Sequence, residues 1–139
     1  MCGQSVAPRA YARGMPPPRI PDFEGRAAVQ AVTTATGDAD ARPERATLAL
    51  AVRYVLQVLV DTVPGRSVEV RVPPFGAVQI VEGVRHTRGT PPNVVEVDAE
   101  TFLALATGRV PWPAAVAAGR VHASGSRSDL SALFPLDLT

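Results

Sequence analysis

The spacing of apolar residues predicts two helices in the first half of the chain. Asp22 is a suitable N-cap for the first helix, which is expected to end near Gly37, where a left-handed conformation favours glycine. The second helix is predicted over residues 43–63, with a proline in its first turn and Pro64-Gly65 ending it. The apolar positions of the first helix are Phe23, Ala27, Ala28, Ala31, Val32 and Ala35.

The second predicted helix has a narrow polar side. Arg53, Gln57 and Asp61 recur every four residues and form one stripe along it. Apolar residues cover most of the remaining circumference: Leu48, Val52, Val55, Leu56, Leu59, Val60 and Val63. This pattern predicts a helix that is packed on more than one side.

Alternating apolar and polar residues predict strands in the middle of the chain. Residues 68–72 alternate strictly, which is typical of a strand with one buried face. A turn over residues 73–76 should join it to a second strand at 77–82, which favours an antiparallel pair. Two further strands are predicted, at 93–97 and 121–124.

The last third of the chain contains three predicted helices with local start and stop signals. Asp98 and Ser128 are suitable N-caps for the first and third helices, and Pro113 suits the first turn of the second. Gly108 and Gly119 are expected to end the first two helices, and a proline ends the third. The apolar positions of the three helices are Phe102, Leu105, Ala106, Ala115, Val116, Ala118, Leu130, Leu133 and Phe134.

These elements predict an α+β fold, with a small, antiparallel-dominated, curved sheet of about four to five strands covered by helices. The glycine and two prolines in residues 85–92 exclude a regular central strand there and predict a loop or an irregular edge. Residues 1–21 combine glycine, serine, arginine and a run of prolines, which predicts a disordered tail. One domain is therefore expected over residues 22–139.

Composition excludes several classes of function. All fourteen basic residues are arginine, so mechanisms that need a lysine are ruled out. The net charge of +1 with scattered arginines lacks the basic stripe of a nucleic-acid-binding protein, and no nucleic-acid partner is predicted. Cys2 is the single cysteine, which fits a reducing cytoplasm, and no signal peptide or membrane-spanning segment is visible.

The residues that carry catalysis in other proteins form no recognisable set. His86 and His122 lack a carboxylate at ligand spacing, so no metal site is predicted. Ser124-Gly125-Ser126 lacks the frame of a nucleophile elbow and is better explained by capping. We therefore expect a protein that is not an enzyme and has no cofactor.

The order of motifs resembles the sterol carrier protein 2 family. That family has a strand ending in an acidic turn, a Phe-Leu-x-Leu-x-x-Gly helix, a second short helix ending in glycine, a strand ending in glycine and a closing helix. The corresponding segments here are Asp98–Arg109, Ala114–Val121, Ala123–Gly125 and Asp129–Leu133. Val68–Gln79 and His86–Glu96 resemble more closely its bacterial branch, the sterol-carrier orthologues, so the resemblance covers roughly residues 22–136.

The resemblance implies a curved sheet and helices that enclose an apolar tunnel for a lipid or another hydrophobic small molecule, without implying a sterol. Animal members of the family have an extra strand where this chain has the loop at residues 85–92. The C-terminus lacks a peroxisomal address of the Ser-Lys-Leu type.

Two groups of residues are candidates for ligand contacts. Large apolar residues either line a cavity or fill a solid core, and periodicity does not separate these alternatives: Phe75, Phe102, Leu105, Trp112, Val116, Leu133 and Phe134. Four polar residues near the loop either bind an anionic head group or pair with Glu82 and Glu96: Arg85, His86, Arg88 and Asn93.

The leading hypothesis from the sequence is a cytoplasmic, non-enzymatic carrier of a hydrophobic small molecule. An alternative is a structural or interaction domain that kept this fold without a functional tunnel, with a homodimer as a candidate assembly. A third is an accessory fragment related to the C-terminal domains of some bacterial isomerases of the maleylpyruvate type.

Overall fold

The computed structural model of the protein describes residues 18–36, 42–83 and 93–139. The predicted loop at 85–92 and the expected first-helix end near Gly37 lie outside these residues. The elements are α1 (Asp22–Thr36), α2 (Arg45–Thr62), β1 (Pro64–Val72), β2 (Gly76–Ile80), β3 (Asn93–Val97), α3 (Ala99–Ala106), α4 (Trp112–Ala117), β4 (Val121–Ser124) and a single 3₁₀ turn (Ser131–Leu133). The α+β class is confirmed.

The four described strands form one mixed sheet in the order β2-β1-β3-β4. The predicted antiparallel pair of β1 and β2 is confirmed, with Val70 opposite Val78. At the centre, β3 runs parallel to β1, with Val70 opposite Val95, and β4 then pairs antiparallel with β3. The predicted antiparallel-dominated sheet is therefore matched only loosely, because the two outer strand pairs are antiparallel but the central pair is parallel.

The helices cover one face of the sheet. In β1 the alternation directs Val68, Val70 and Val72 to the buried face, where each is at most 1% exposed. The longest helix, α2, contacts α1, α3, β1 and β2, as its broad apolar surface predicted. The opposite face of the sheet carries half-buried or exposed polar residues, Glu69, Arg71, Glu96 and His122.

Helix α1 packs against α2 through a very close approach at Gly25. A Cβ atom at this position would overlap the ring of Tyr54, so only glycine allows this spacing. The Tyr54 hydroxyl donates a hydrogen bond to Asp22 Oδ1 (3.1 Å). Burial raises the pKa of the Tyr54 phenol, and the bond to Asp22 acts in the same direction. The start of α1 is therefore tied to the middle of α2.

The predicted third C-terminal helix, starting at Ser128, is wrong. The structure has one 3₁₀ turn there, and the Ser128 hydroxyl donates to the Gly125 carbonyl (2.8 Å) instead of capping a helix. Leu130 and Leu136 are both buried, and the Leu136 N–H donates to the Ala106 carbonyl at the end of α3 (3.0 Å). The observed path from Leu130 to Leu136 buries both leucines and satisfies the Leu136 N–H on α3, with one turn of 3₁₀ helix between them.

The second predicted strand also ends earlier than expected. It was predicted to reach residue 82, but β2 ends at Ile80, and Val81 has a positive φ of 67°. The Val81 carbonyl accepts hydrogen bonds from both the N–H (3.1 Å) and the hydroxyl (2.7 Å) of Ser67. This bonding accompanies the register shift between Pro64 and Val68 in β1, which begins four residues before the predicted strand.

The predicted N-cap of α3 is confirmed in atomic detail. Asp98 Oδ2 accepts from the Thr101 N–H (3.0 Å), and Oδ1 accepts from the Thr101 hydroxyl (2.7 Å). Partial burial raises the pKa of the Asp98 carboxyl, but the hydrogen bonds from Thr101 outweigh it, so the pKa is lowered overall. The folded state therefore favours the ionised carboxylate.

Replacing Asp98 by alanine should lower the free energy of unfolding by about 1 kcal/mol at neutral pH. Because the folded pKa lies below the unfolded value of about 3.9, the charge-dependent part is fully present above that pH. It is lost as the pH falls through the folded pKa. Urea unfolding of wild type and Asp98→Ala at several pH values should show a difference that narrows below about pH 4. A difference that stays constant down to pH 2 would contradict the role of the carboxylate.

Candidate binding cleft

A cleft of about 790 Å³ lies beside α2, between that helix, the start of β2 and residues 18–21. Its lining combines an apolar base with a polar rim: Pro18, Arg19, Ile20, Pro21, Glu24, Arg53, Leu56, Gln57, Val60, Asp61, Phe75, Gly76, Ala77 and Val78. Leu56 is buried at the base, and Val60, Phe75 and Val78 are half-buried. This volume lies within the range of about 300–1,000 Å³ typical of small-molecule sites.

One wall of the cleft is a short irregular segment, Pro18–Pro21, which we call the strap. The Gln57 side chain binds the backbone of Ile20 at two points: Nε2 donates to the Ile20 carbonyl and Oε1 accepts from the Ile20 N–H, both at 3.0 Å. The Arg19 guanidinium pairs with the Asp61 carboxylate, with an N–O distance of 2.6 Å. The predicted disordered tail covers residues 1–21. The structure places the last four of these residues, 18–21, against α2.

The opposite wall is formed by the turn between β1 and β2. The Arg45 guanidinium lies 5.3 Å from the centroid of the Phe75 ring, within the range of a cation–π contact. At the next residue, Gly76, an added Cβ would lie 3.2 Å from Leu56 Cδ1. This close approach brings the turn down onto α2, and Phe75 and Val78 line the cleft beside it.

The rim of the cleft has balanced charge. Arg19 and Asp61 neutralise each other, whereas Glu24 and Arg53 form no ion pair with any residue that the structure describes. Within the same described ranges, no group of three or more histidine, cysteine, aspartate or glutamate side chains is arranged to hold a metal ion. An apolar base with a polar, solvent-facing rim suits an amphiphilic molecule.

The structure brings only Phe75 of the seven predicted apolar ligand residues to the cleft. Phe102 and Leu105 are almost completely buried in the core, at 0% and 1% exposure. Trp112 stacks on Phe134 with ring centroids 5.9 Å apart, away from the cleft lining. Of the remaining two, Leu133 is half-buried and Val116 is exposed on α4, and neither lines the cleft.

The interior between sheet and helices, where the family resemblance implies a tunnel, is filled by side chains in the described part of the chain. Val52, Val55 and Leu59 of α2 have no exposed surface, and neither does Val68 on the facing strand. A close-packed interior of this kind leaves no channel of ligand size between these residues. The cleft beside α2 lies outside this packed interior.

Of the four predicted head-group residues, Asn93 lies in the described structure, whereas Arg85, His86 and Arg88 lie outside it. Asn93 is buried; its Nδ2 donates to the Ser67 carbonyl (2.8 Å) and its Oδ1 accepts from the Arg127 N–H (2.9 Å). These bonds join β1 to the turn after β4. The Asn93 amide therefore has a structural role in the observed conformation.

Sequence reasoning missed most residues that shape the cleft, among them Ile20, Gln57 and Val60. A signal was present in the polar stripe of α2, because a narrow polar stripe on an otherwise apolar helix needs a polar partner or solvent. The structure shows that Gln57 and Asp61 of this stripe receive the strap. The identity of that partner could not be read from periodicity.

Comparison with known proteins settles the family. Residues 44–136, more than half of the 139-residue chain, match the family model described as bacterial SCP ortholog. The chain belongs to the bacterial SCP ortholog family. The predicted recognition is thereby confirmed, and the fold is that of a sterol-carrier-like domain. None of the curated proteins compared with this chain matches it.

Only part of the cleft lining lies within the residues that match the family model. The floor on α2 and the wall at Phe75–Val78 lie within residues 44–136, whereas the strap and α1 precede that range.

Among the described residues, no helix combines the length and the apolar character needed to cross a membrane.

Proposed function

We propose that this protein is a non-enzymatic binding protein that holds a hydrophobic or amphiphilic small molecule, such as a lipid, in the cleft beside α2. The observation that carries the proposal is the cleft itself, with about 790 Å³ of space over an apolar base. Family membership supports it, since the match spans the floor and one wall of the cleft. We also propose that the protein acts in the cytoplasm, because its single cysteine suits a reducing compartment.

The physical basis is burial of hydrocarbon. Each methylene moved from water onto apolar surface contributes about 0.8 kcal/mol. A chain with ten buried methylenes would gain roughly 8 kcal/mol before the entropic cost of association, which is enough for useful affinity. Such recognition needs volume and apolar lining and few directional contacts. The polar rim then keeps the hydrophilic end of the ligand in water.

Recovery of bound molecules tests this proposal directly. Purified protein incubated with a cell lipid extract and re-isolated should carry a lipid that mass spectrometry identifies. The fluorescent polyene fatty acid parinaric acid should also bind, with enhanced emission as it enters the apolar cleft.

The alternative function, an interaction domain, is favoured by one observation. Phe23 at the start of α1 is 77% exposed, so contact with a second copy would remove its ring from water. If no lipid is recovered, parinaric acid fails to bind and light scattering shows a homodimer that Phe23→Ser dissociates, the carrier proposal is refuted and the interaction domain is supported.

A further inference from the structure

The strap is the weakest-held wall of the cleft. It contains no regular secondary structure, and its described polar contacts with α2 are the two hydrogen bonds of Gln57 and the Arg19–Asp61 pair. The side chains of that ion pair are 67% and 49% exposed, so solvent screens their attraction. Ile20 is half-buried and packs against the hydrophobic core. By contrast, the floor and the opposite wall belong to α2 and to the sheet.

The chemistry of the Gln57 contact makes it a reversible latch. One side-chain amide satisfies both the N–H and the carbonyl of Ile20, so breaking this single contact frees the backbone of the strap. Both bonds are only part-buried, so water can replace them when the strap leaves. Regions held by few buried contacts open locally without unfolding the rest of a protein.

At its C-terminal end the strap is anchored to α1. The Pro21 carbonyl accepts a hydrogen bond from the Gly25 N–H (2.9 Å) in the first turn of α1. Beyond it, α1 is held by the contact of Gly25 with Tyr54 and by the Tyr54–Asp22 hydrogen bond. The contacts that hold α1 on α2 therefore do not involve residues 18–20.

We propose that the strap is a gate that controls entry and release of the ligand, with Gln57 as its latch. This inference rests on the proposed function, because it concerns regulation of the same cleft. The strap lies outside the range that matches the family model, so the gate is argued from the contacts of this chain alone. A gate changes the rates of binding and release together and changes equilibrium affinity much less.

The test uses stopped-flow release of parinaric acid from the full chain. Gln57→Leu keeps the size of the side chain and removes both hydrogen bonds to Ile20, so both the release and the binding rates should rise about tenfold or more. Gln30→Leu, on the exposed side of α1, is the matched control and should leave both rates unchanged. Asp61→Asn, which removes the charge pair, should raise both rates about two- to fivefold.

A reversible cross-link provides the complementary test, because it holds the strap on α2. With Cys2→Ser to remove the native thiol, Arg19→Cys and Asp61→Cys would be joined by a short bis-thiosulfonate reagent, since their parent side chains meet in the folded protein. Binding and release should both slow at least tenfold when the link forms and recover after reduction.

The outcomes separate the two proposals. If parinaric acid binds but neither Gln57→Leu nor the cross-link changes its rates, the strap is a fixed wall and the gate is refuted, while the carrier function stands. A large change in affinity at unchanged binding rate would identify Gln57 as a ligand contact and would also refute the gate. If the wild-type protein binds no parinaric acid and recovers no lipid from extract, the carrier function falls and the gate with it.

Discussion

Phe102→Ala is expected to lower the free energy of unfolding by about 3–5 kcal/mol, the largest stability effect we predict for a single substitution. Phe102 has no exposed surface and lies in the core formed by the helices and the covered face of the sheet. Alanine would remove most of a buried aromatic side chain and leave a cavity among close-packed neighbours. Guanidinium unfolding followed by circular dichroism gives the difference directly.

This result also separates the two sequence-based alternatives for Phe102. A residue lining a ligand cavity in the empty protein already faces free space, so its truncation should cost much less. A loss below about 1 kcal/mol would therefore show that Phe102 borders a cavity, as the sequence allowed. Phe134→Ala is the matched control: Phe134 is half-buried and stacks on Trp112, and its truncation should cost about 1–2 kcal/mol.

Val60→Arg should weaken the binding of parinaric acid by at least about tenfold, the largest effect on binding that we predict. Val60 is half-buried on α2 and lines the cleft. An arginine there would occupy part of the space, and a loss of contact with two methylenes alone corresponds to about 1.6 kcal/mol. Fluorescence titration measures the change in affinity, and thermal unfolding monitors whether the fold is kept.

Val116→Arg provides the control for this substitution and a test of the sequence-based site. Val116 is also a valine on a helix, but it is 43% exposed and lies outside the cleft. Its replacement should leave the affinity within about twofold, since neither volume nor apolar area in the cleft changes. If Val116→Arg abolished binding and Val60→Arg did not, the ligand site would lie near Trp112, as the sequence predicted.

Predictions from local sequence were correct for segments that contain their own capping residues and a clear hydrophobic period. Asp98 and Gly108 flank α3 as expected: Asp98 caps it, and Gly108 takes a φ of 81° just after its last turn. The strict alternation of residues 68–72 likewise identified the strand and its buried face. These features depend on residues only a few positions apart, so the neighbouring sequence suffices to specify them.

Predictions failed or were incomplete where a distant contact decides the conformation. The segment after Ser128 has capping and helical spacing, yet it forms one 3₁₀ turn, and the chain beyond it is held on α3 by the bond from Leu136 to Ala106. The strap was assigned to a tail because proline and arginine dominate its composition. Its placement depends on Gln57, thirty-seven residues away from Ile20, and local composition carries no information about such a partner.

By itself, the sequence determined the type and order of most elements, the N-cap of α3 and the family, because each depends on short-range stereochemistry or on an ordered set of motifs. Tertiary structure alone decided which apolar residues fill the core and which line the cleft. The physical reason is that the hydrophobic effect is non-directional. Periodicity therefore marks Phe102 and Val60 alike as residues to be covered, and only packing shows that Phe102 is enclosed by the protein while Val60 faces the cleft.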